Sequence, residues 1–174
     1  MQLQEREAPL QALLDGYGRA CDGEGHCAIV LGEAGFGKTT LLRALLDELD
    51  ATPNILRGAC EDLAIVEPLG PLRDLAREAG WQLEGDLGAT GGRIAAFSEA
   101  LVSIEALDAP TLILVEDLHW ADDATVDFLK FLARRLDRRK LLIVATARSD
   151  DGRGRANVRQ MLSGVSPTGF HGST

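Results

Sequence analysis

The sequence predicts an α/β domain built on a parallel sheet. Three observations carry that expectation: four short apolar runs rich in β-branched residues, longer stretches of helical periodicity between them, and Gly or Pro at most of the junctions. Strands buried on both faces read as unbroken apolar runs, and parallel strands need crossovers long enough to hold a helix. With 174 residues the chain is about one domain long and can bury a working core.

In order along the chain, Leu10, Leu13, Leu14, Tyr17 and Cys21 recur at helical spacing, with Pro9 placed in the first turn and Gly23 and Gly25 as the stop. "CAIVLG", Cys27 to Gly32, is the first strand. A glycine-rich turn follows it, and Leu41, Leu42, Leu45, Leu46 and Leu49 then continue as a helix. "NILRGA", Asn54 to Ala59, is the second strand, entered past Pro53. Beyond the loop marked by Pro68, Gly70 and Pro71, a short helix carries Leu72, Leu75 and Ala79. Ile94, Phe97, Leu101 and Ile104 mark a longer helix after the "GATGG" turn, which reads as a loop. The third strand is "TLILV", Thr111 to Val115, and the fourth "LLIVAT", Leu141 to Thr146. The helix between them carries Val126, Leu129, Leu132, Ala133 and Leu136, with Asp122 or Asp123 as its N-cap. From Ser149 on the composition turns to Gly, Ser and Arg, with only Val158, Met161 and Leu162 hinting at a helix.

Composition narrows the function classes. The 45% apolar and 26% charged content is that of a soluble globular protein. No run of about 18 apolar residues and no signal-peptide pattern occurs, so a cytoplasmic chain without membrane contact is expected. A formal net charge of −9 and a pI near 4.8 repel phosphate polymers, so no direct nucleic-acid binding is expected either. The nearest approach to a basic stripe, Arg134, Arg135, Arg138, Arg139 and Lys140, ends a helix, where cations meet the negative end of its dipole. Cys21, Cys27 and Cys60 fit no zinc spacing and read as small buried thiols; His26, His119 and His171 are too scattered for a ligand set.

The chemistry starts at "GEAGFGKTT", which fits G-x-x-x-x-G-K-[ST] between a strand and a helix. Gly32, Gly35 and Gly37 let the backbone of Glu33, Ala34 and Phe36 turn its N–H groups toward phosphates, and the helix N-terminus adds its dipole over Lys38, Thr39 and Thr40. Lys38 would reach the β- and γ-phosphates and the Thr39 hydroxyl would hold Mg²⁺. Such a Walker A loop needs a carboxylate at the end of a neighbouring strand, since Mg²⁺ takes oxygen ligands. "LILVED" supplies Glu116 and Asp117 as a Walker B pair. By position Glu116 serves the metal and Asp117 polarises the attacking water, with the exchanged roles as the alternative. Arg148, just past the fourth strand, stands where a guanidinium could sense the γ-phosphate; a surface arginine is the alternative. No N-K-x-D guanine motif occurs, which favours ATP over GTP.

Taken together, "EREAPLQALLDG", "GEAGFGKTTLLRAL", "ILRGACEDLAIVEPLGPLRDL", "LILVEDLHWADDATVDFLKFLARRL" and "LLIVATARSDD" resemble the N-terminal ATPase module of large LuxR-type bacterial transcription regulators. These belong to the STAND class of signal-transducing P-loop ATPases, close to AAA-type and Orc1-like ATPase domains. The likeness runs from about Glu5 to Asp151 and is most specific in "EDLHWAD". It implies a P-loop NTPase three-layer sandwich with strand order 5-1-4-3-2, ATP and Mg²⁺ as cofactors, ATP on Gly32 to Thr39, a Walker B role for Glu116 and Asp117, and a sensor role for Arg148. The Glu-then-Asp order is ordinary in that family.

Family members continue through a fifth strand, a helical lid, a winged-helix region, sensor repeats and a helix-turn-helix, none of which fits after Asp151. The resemblance therefore predicts an ATPase domain over residues 1–151 that is truncated on its C-terminal side, with the fifth strand missing or incomplete, and a poorly ordered tail over 152–174. The first strand would then be an exposed sheet edge, open to self-association or to a protein partner, unless the tail folds back to cover it. The function implied is a nucleotide-dependent signalling switch with weak ATPase activity. A small-molecule kinase-like P-loop transferase and a remnant with weak nucleotide binding are the alternatives.

Overall fold

The structure is a computed structural model and describes residues 4–49, 53–62, 68–83, 87, 89–163 and 168–171. Helix α1 (Gln4–Cys21) leads into β1 (His26–Gly32), α2 (Lys38–Glu48) and β2 (Asn54–Ala59). Then follow α3 (Gly70–Ala79), α4 (Thr90–Glu105), β3 (Thr111–Glu116), α5 (Asp123–Ala133), β4 (Leu141–Arg148), α6 (Gly152–Met161) and β5 (Thr168–His171). A 3₁₀ turn, Leu118–Trp120, joins β3 to α5.

All strand pairs are parallel, and the sheet order β2-β3-β4-β1-β5 is the expected 5-1-4-3-2 read from the other edge. Successive side chains of a strand point to opposite faces. Ala28, Val30, Leu112, Leu114, Leu142 and Val144 accordingly pack with Leu13, Leu42 and Leu45 of α1 and α2. Ile29, Leu31, Ile113, Val115, Ile143 and Ala145 pack with Leu72, Phe97, Phe128, Leu129 and Met161, drawn from α3 to α6. The result is a three-layer α/β/α sandwich whose central strands are apolar on both sides, as their unbroken runs require. Truncating one such Leu or Ile to Ala costs about 2–5 kcal/mol.

Several expectations are corrected. Pro9 is the sixth residue of α1, not a first-turn residue; it lies past the four N–H groups that have no intrahelical partner, so one helical bond is lost there. The "GATGG" stretch is not all loop: Thr90, Gly91 and Gly92 open α4, while Gly88 lies outside the described residues. Ile94 is 60% exposed, so the buried face of α4 runs through Ala96, Phe97, Ala100 and Ile104. Leu136 is buried but lies beyond the end of α5. Arg148 is the last residue of β4 rather than one past it.

The largest differences lie in the region read as a poorly ordered tail. Residues 152–161 form α6, capped by the Asp151 side chain on the Arg153 N–H and anchored by buried Asn157, Val158 and Met161. A short fifth strand pairs with β1, Ala28 to Leu31 opposite Thr168 to His171. The expected open edge on β1 is therefore not found, because β1 has strands on both sides. At the β2 edge, Glu78 of α3 accepts the Arg57 N–H at 2.5 Å, and Gly58 lets Pro71 approach so closely that a Cβ would lie 2.8 Å from the Pro71 carbonyl oxygen. Among the described residues no helix is long and apolar enough to cross a membrane.

Candidate functional site

The loop between β1 and α2 is shaped by its glycines. Gly35 and Gly37 both have φ 78°, a left-handed conformation that costs other residues energy. Gly32 is required for a different reason: a Cβ there would stand 2.7 Å from the Phe36 ring. Gly37 caps α2 with no side-chain acceptor, and the first helical bond runs from the Leu41 N–H to the Gly37 carbonyl at 2.9 Å. The leading N–H groups of α2 thus have no capping side chain, the arrangement that receives an anion. Glu33, Ala34, Gly35, Thr39 and Thr40 are exposed at the loop's mouth. Lys38 doubles back over the loop, its Nζ donating to the carbonyls of Gly32 at 2.8 Å and Glu33 at 2.9 Å. Burial lowers its pKa, and the nearby Asp117 carboxylate opposes that shift.

Glu116 ends β3 beside this loop. The Thr39 hydroxyl donates to Glu116 Oε2 at 3.1 Å, joining the two motifs across 77 residues of sequence. Asp117 sits in the left-handed region, φ 58° and ψ 45°, where Asp is better tolerated than most residues. Its N–H donates to Thr146 Oγ1 of β4 at 3.1 Å. Arg148 is turned onto Asp150 in a two-pronged ion pair, Nε to Oδ1 at 3.1 Å and the terminal nitrogen to Oδ2 at 2.7 Å, which holds the Asp150 carboxyl down to about 2. The structure therefore brings Lys38, Thr39, Glu116 and Asp117 to one end of the sheet, and keeps the Arg148 guanidinium on a neighbouring acid.

The turn after the acids is held from two sides. Asp122, not Asp123, caps α5: its Oδ1 accepts the Thr125 N–H at 2.5 Å and its Oδ2 the Leu69 N–H at 2.9 Å, which ties the start of α3 to the start of α5. From the other side, Asn157 of α6 donates its amide to the Leu118 carbonyl at 2.9 Å and the Ala121 carbonyl at 3.4 Å. Gly154 lies against the same turn, where a Cβ would be 2.9 Å from both the Arg148 carbonyl and His119 Cβ. Sequence reasoning missed Thr146, Gly154 and Asn157. The one signal was Asn157 standing beside the helix-spaced apolar residues Val158, Met161 and Leu162.

A cleft of about 320 Å³ opens between the end of β2, α3 and the start of α5, lined by Cys60, Arg73, Asp74, Trp120, Asp122 and Thr125 among others. Burial raises the Cys60 thiol to about 12, so it is an unreactive wall of that cleft. Among the described residues no group of three or more His, Cys, Asp or Glu is placed to hold a metal ion by itself.

A glycine loop between the first strand and its helix, facing an acid pair at the end of the third strand of a 5-1-4-3-2 sheet, defines a P-loop NTPase fold of the AAA+ kind. The chain belongs to the AAA ATPase domain family, whose model matches residues 2–144. Among solved structures it is similar to the Orc1 protein of Aeropyrum pernix in complex with DNA, with a TM-score of 0.67 and 17% identity over 97% of this chain and 46% of that one. It is similar to Cdc6p from Pyrobaculum aerophilum as well, with a TM-score of 0.63 and 18% identity over 95% of this chain and 42% of that one. The RuvB Holliday junction branch migration motor of Thermotoga maritima follows at a TM-score of 0.51 and 16% identity, covering 100% of this chain and 47% of that one. At such identities the likeness is one of fold, and the chain spans less than half the length of these three proteins. No curated protein matched the sequence.

Proposed function

We propose that the chain binds ATP with Mg²⁺ and acts as a nucleotide-dependent signalling switch of the kind found in LuxR-type, STAND-class regulators, hydrolysing ATP slowly. The observation that supports this most is the 3.1 Å contact between Thr39 and Glu116. It puts two oxygens from separate motifs at one point, as a hard cation held by hydroxyl and carboxylate needs. When bound, Mg²⁺ would neutralise charge on the phosphates. In this reading the backbone of Gly32 to Thr40 cradles the phosphates, Lys38 leaves its two carbonyl partners for them, Thr39 and Glu116 serve the metal, and Asp117 orients water. Arg148 acts as sensor once released from Asp150. The relatives with DNA in their structures carry additional chain, and the acidic balance here supports a module that makes no direct nucleic-acid contact of its own.

The test is thermal melting of wild type and Lys38→Ala with and without Mg-ATP. A ligand at a hundred times its Kd raises wild-type stability by about 2.7 kcal/mol. The shift should vanish in Lys38→Ala; an unchanged shift removes the assignment. Phosphate release unaffected by added acceptors separates a switch from a kinase-like transferase, and a wild type that does not respond to ATP identifies a remnant.

A further inference from the structure

His119 Nδ1 is a buried side-chain atom with no hydrogen-bond partner among the described residues. Leaving such a group unpaired costs about 1–3 kcal/mol. The side chain is 4% exposed and its Nδ1 lies 4.0 Å from Asp117 Oδ1, too far for a hydrogen bond. The Asp117 side chain, by contrast, is 51% exposed and free to rotate. The imidazole is the fixed partner of the two. Its ring packs on Trp120 with centroids 5.0 Å apart, its Cβ sits so near residue 154 that only a glycine fits there, and Asn157 holds the carbonyls of Leu118 and Ala121 around it. The backbone of Asp117 is fixed too, by its N–H bond to Thr146. Only the carboxylate itself has slack.

We infer that His119 is a positioning residue: with nucleotide bound, its Nδ1–H donates to Asp117 Oδ1 and fixes the carboxylate in the orientation that polarises water. Burial lowers the pKa of this histidine, and the Asp117 charge opposes that shift. The geometry alone, a fixed and unpartnered ring nitrogen facing a carboxylate with slack, makes the imidazole the orienting group. α6 enters the site by this route, since it is the wall behind the ring. The inference rests on the ATP reading given above.

The test uses the full chain, ¹⁵N-labelled at its three histidines, with Mg²⁺ and a slowly hydrolysed ATP analogue. The His119 signals are assigned by their loss in His119→Asn. On addition of the analogue, His119 Nδ1 should become the proton-bearing nitrogen. His119→Phe should lower kcat about tenfold or more with KM and the ATP-induced melting shift retained. His119→Asn, whose amide can donate from nearly the same point, should recover most of the loss. If His119→Phe does not fold, the Asn variant and the wild-type spectrum carry the test. Wild-type turnover in a folded His119→Phe, or an Nδ1 that stays bare in the complex, overturns the inference. A wild type with no ATP-induced melting shift overturns the nucleotide reading itself, and the inference with it.

Discussion

Asp117 is held in a conformation that few side chains adopt, and such outliers persist only where the surroundings enforce them. Thr146 is one enforcer. Thr146→Val keeps the shape of the strand but leaves the Asp117 N–H without its acceptor, so a loss of about 1–3 kcal/mol is expected in urea unfolding. Of the two acids, Glu116 is the one that accepts the Thr39 hydroxyl, and on that contact the proposed function gives it the metal. Glu116→Gln should remove the Mg²⁺ dependence of ATP binding, whereas Asp117→Asn should keep binding and slow phosphate release, because an amide retains the shape but polarises water poorly. The opposite pattern in binding and turnover assays exchanges the roles. The phosphate loop was legible in the sequence because its glycines, lysine and threonine act within a few residues of one another. Thr146 was not, since a β-branched residue in an apolar run reads as a sheet former and its partner is 29 residues away.

At the scale of elements, the apolar runs located the first four strands to within two residues, and "NILRGA" matched β2 end to end. What periodicity could not show was α6. Its two glycines and Asn157 lower helix propensity, and its five polar or charged side chains leave little apolar periodicity, so the segment reads as tail. Tertiary contacts override that weakness: Gly154 is small because the Arg148 carbonyl of β4 and His119 Cβ of the turn would each lie 2.9 Å from a Cβ there, and Asn157 is polar because it donates to two carbonyls of the turn. Asn157→Ala removes the buried donor shared by those carbonyls, which keep only the Ala121 N–H and the long Arg153 contact, and should cost about 0.5–1.5 kcal/mol. The loss should be local, so hydrogen exchange would speed up over 152–161 and over the 118–121 turn while β1, β3 and β4 stay protected. Uniform acceleration across the chain would show that α6 is part of the global unfolding unit instead.

For the molecule as a whole, strand order decides which backbone groups face water. The order implied by the resemblance is the one observed, and the open edge on β1 that a missing fifth strand would leave is closed by the tail, since four residues after a Gly- and Ser-rich stretch suffice to pair it. So short a strand carries little periodicity of its own, and its meaning lies in the partner, which is why the sequence left the fifth strand doubtful. β1 is apolar on both faces and, next to the phosphate loop, is the strand the molecule can least leave unpaired. Removing residues 168–174 takes away the partners of Ala28 to Leu31 and recreates the flat apolar edge that invites pairing with another chain. The shortened protein should self-associate in sedimentation velocity at concentrations where the full chain does not, and a Pro substituted at Val30 of the shortened protein would be a poor remedy, since it disrupts the β4 side as well. A shortened protein that sediments like the full chain and keeps the same melting temperature would mean that β5 contributes neither cover nor stability, and that the edge is guarded by the side chains of β1 and its neighbours alone.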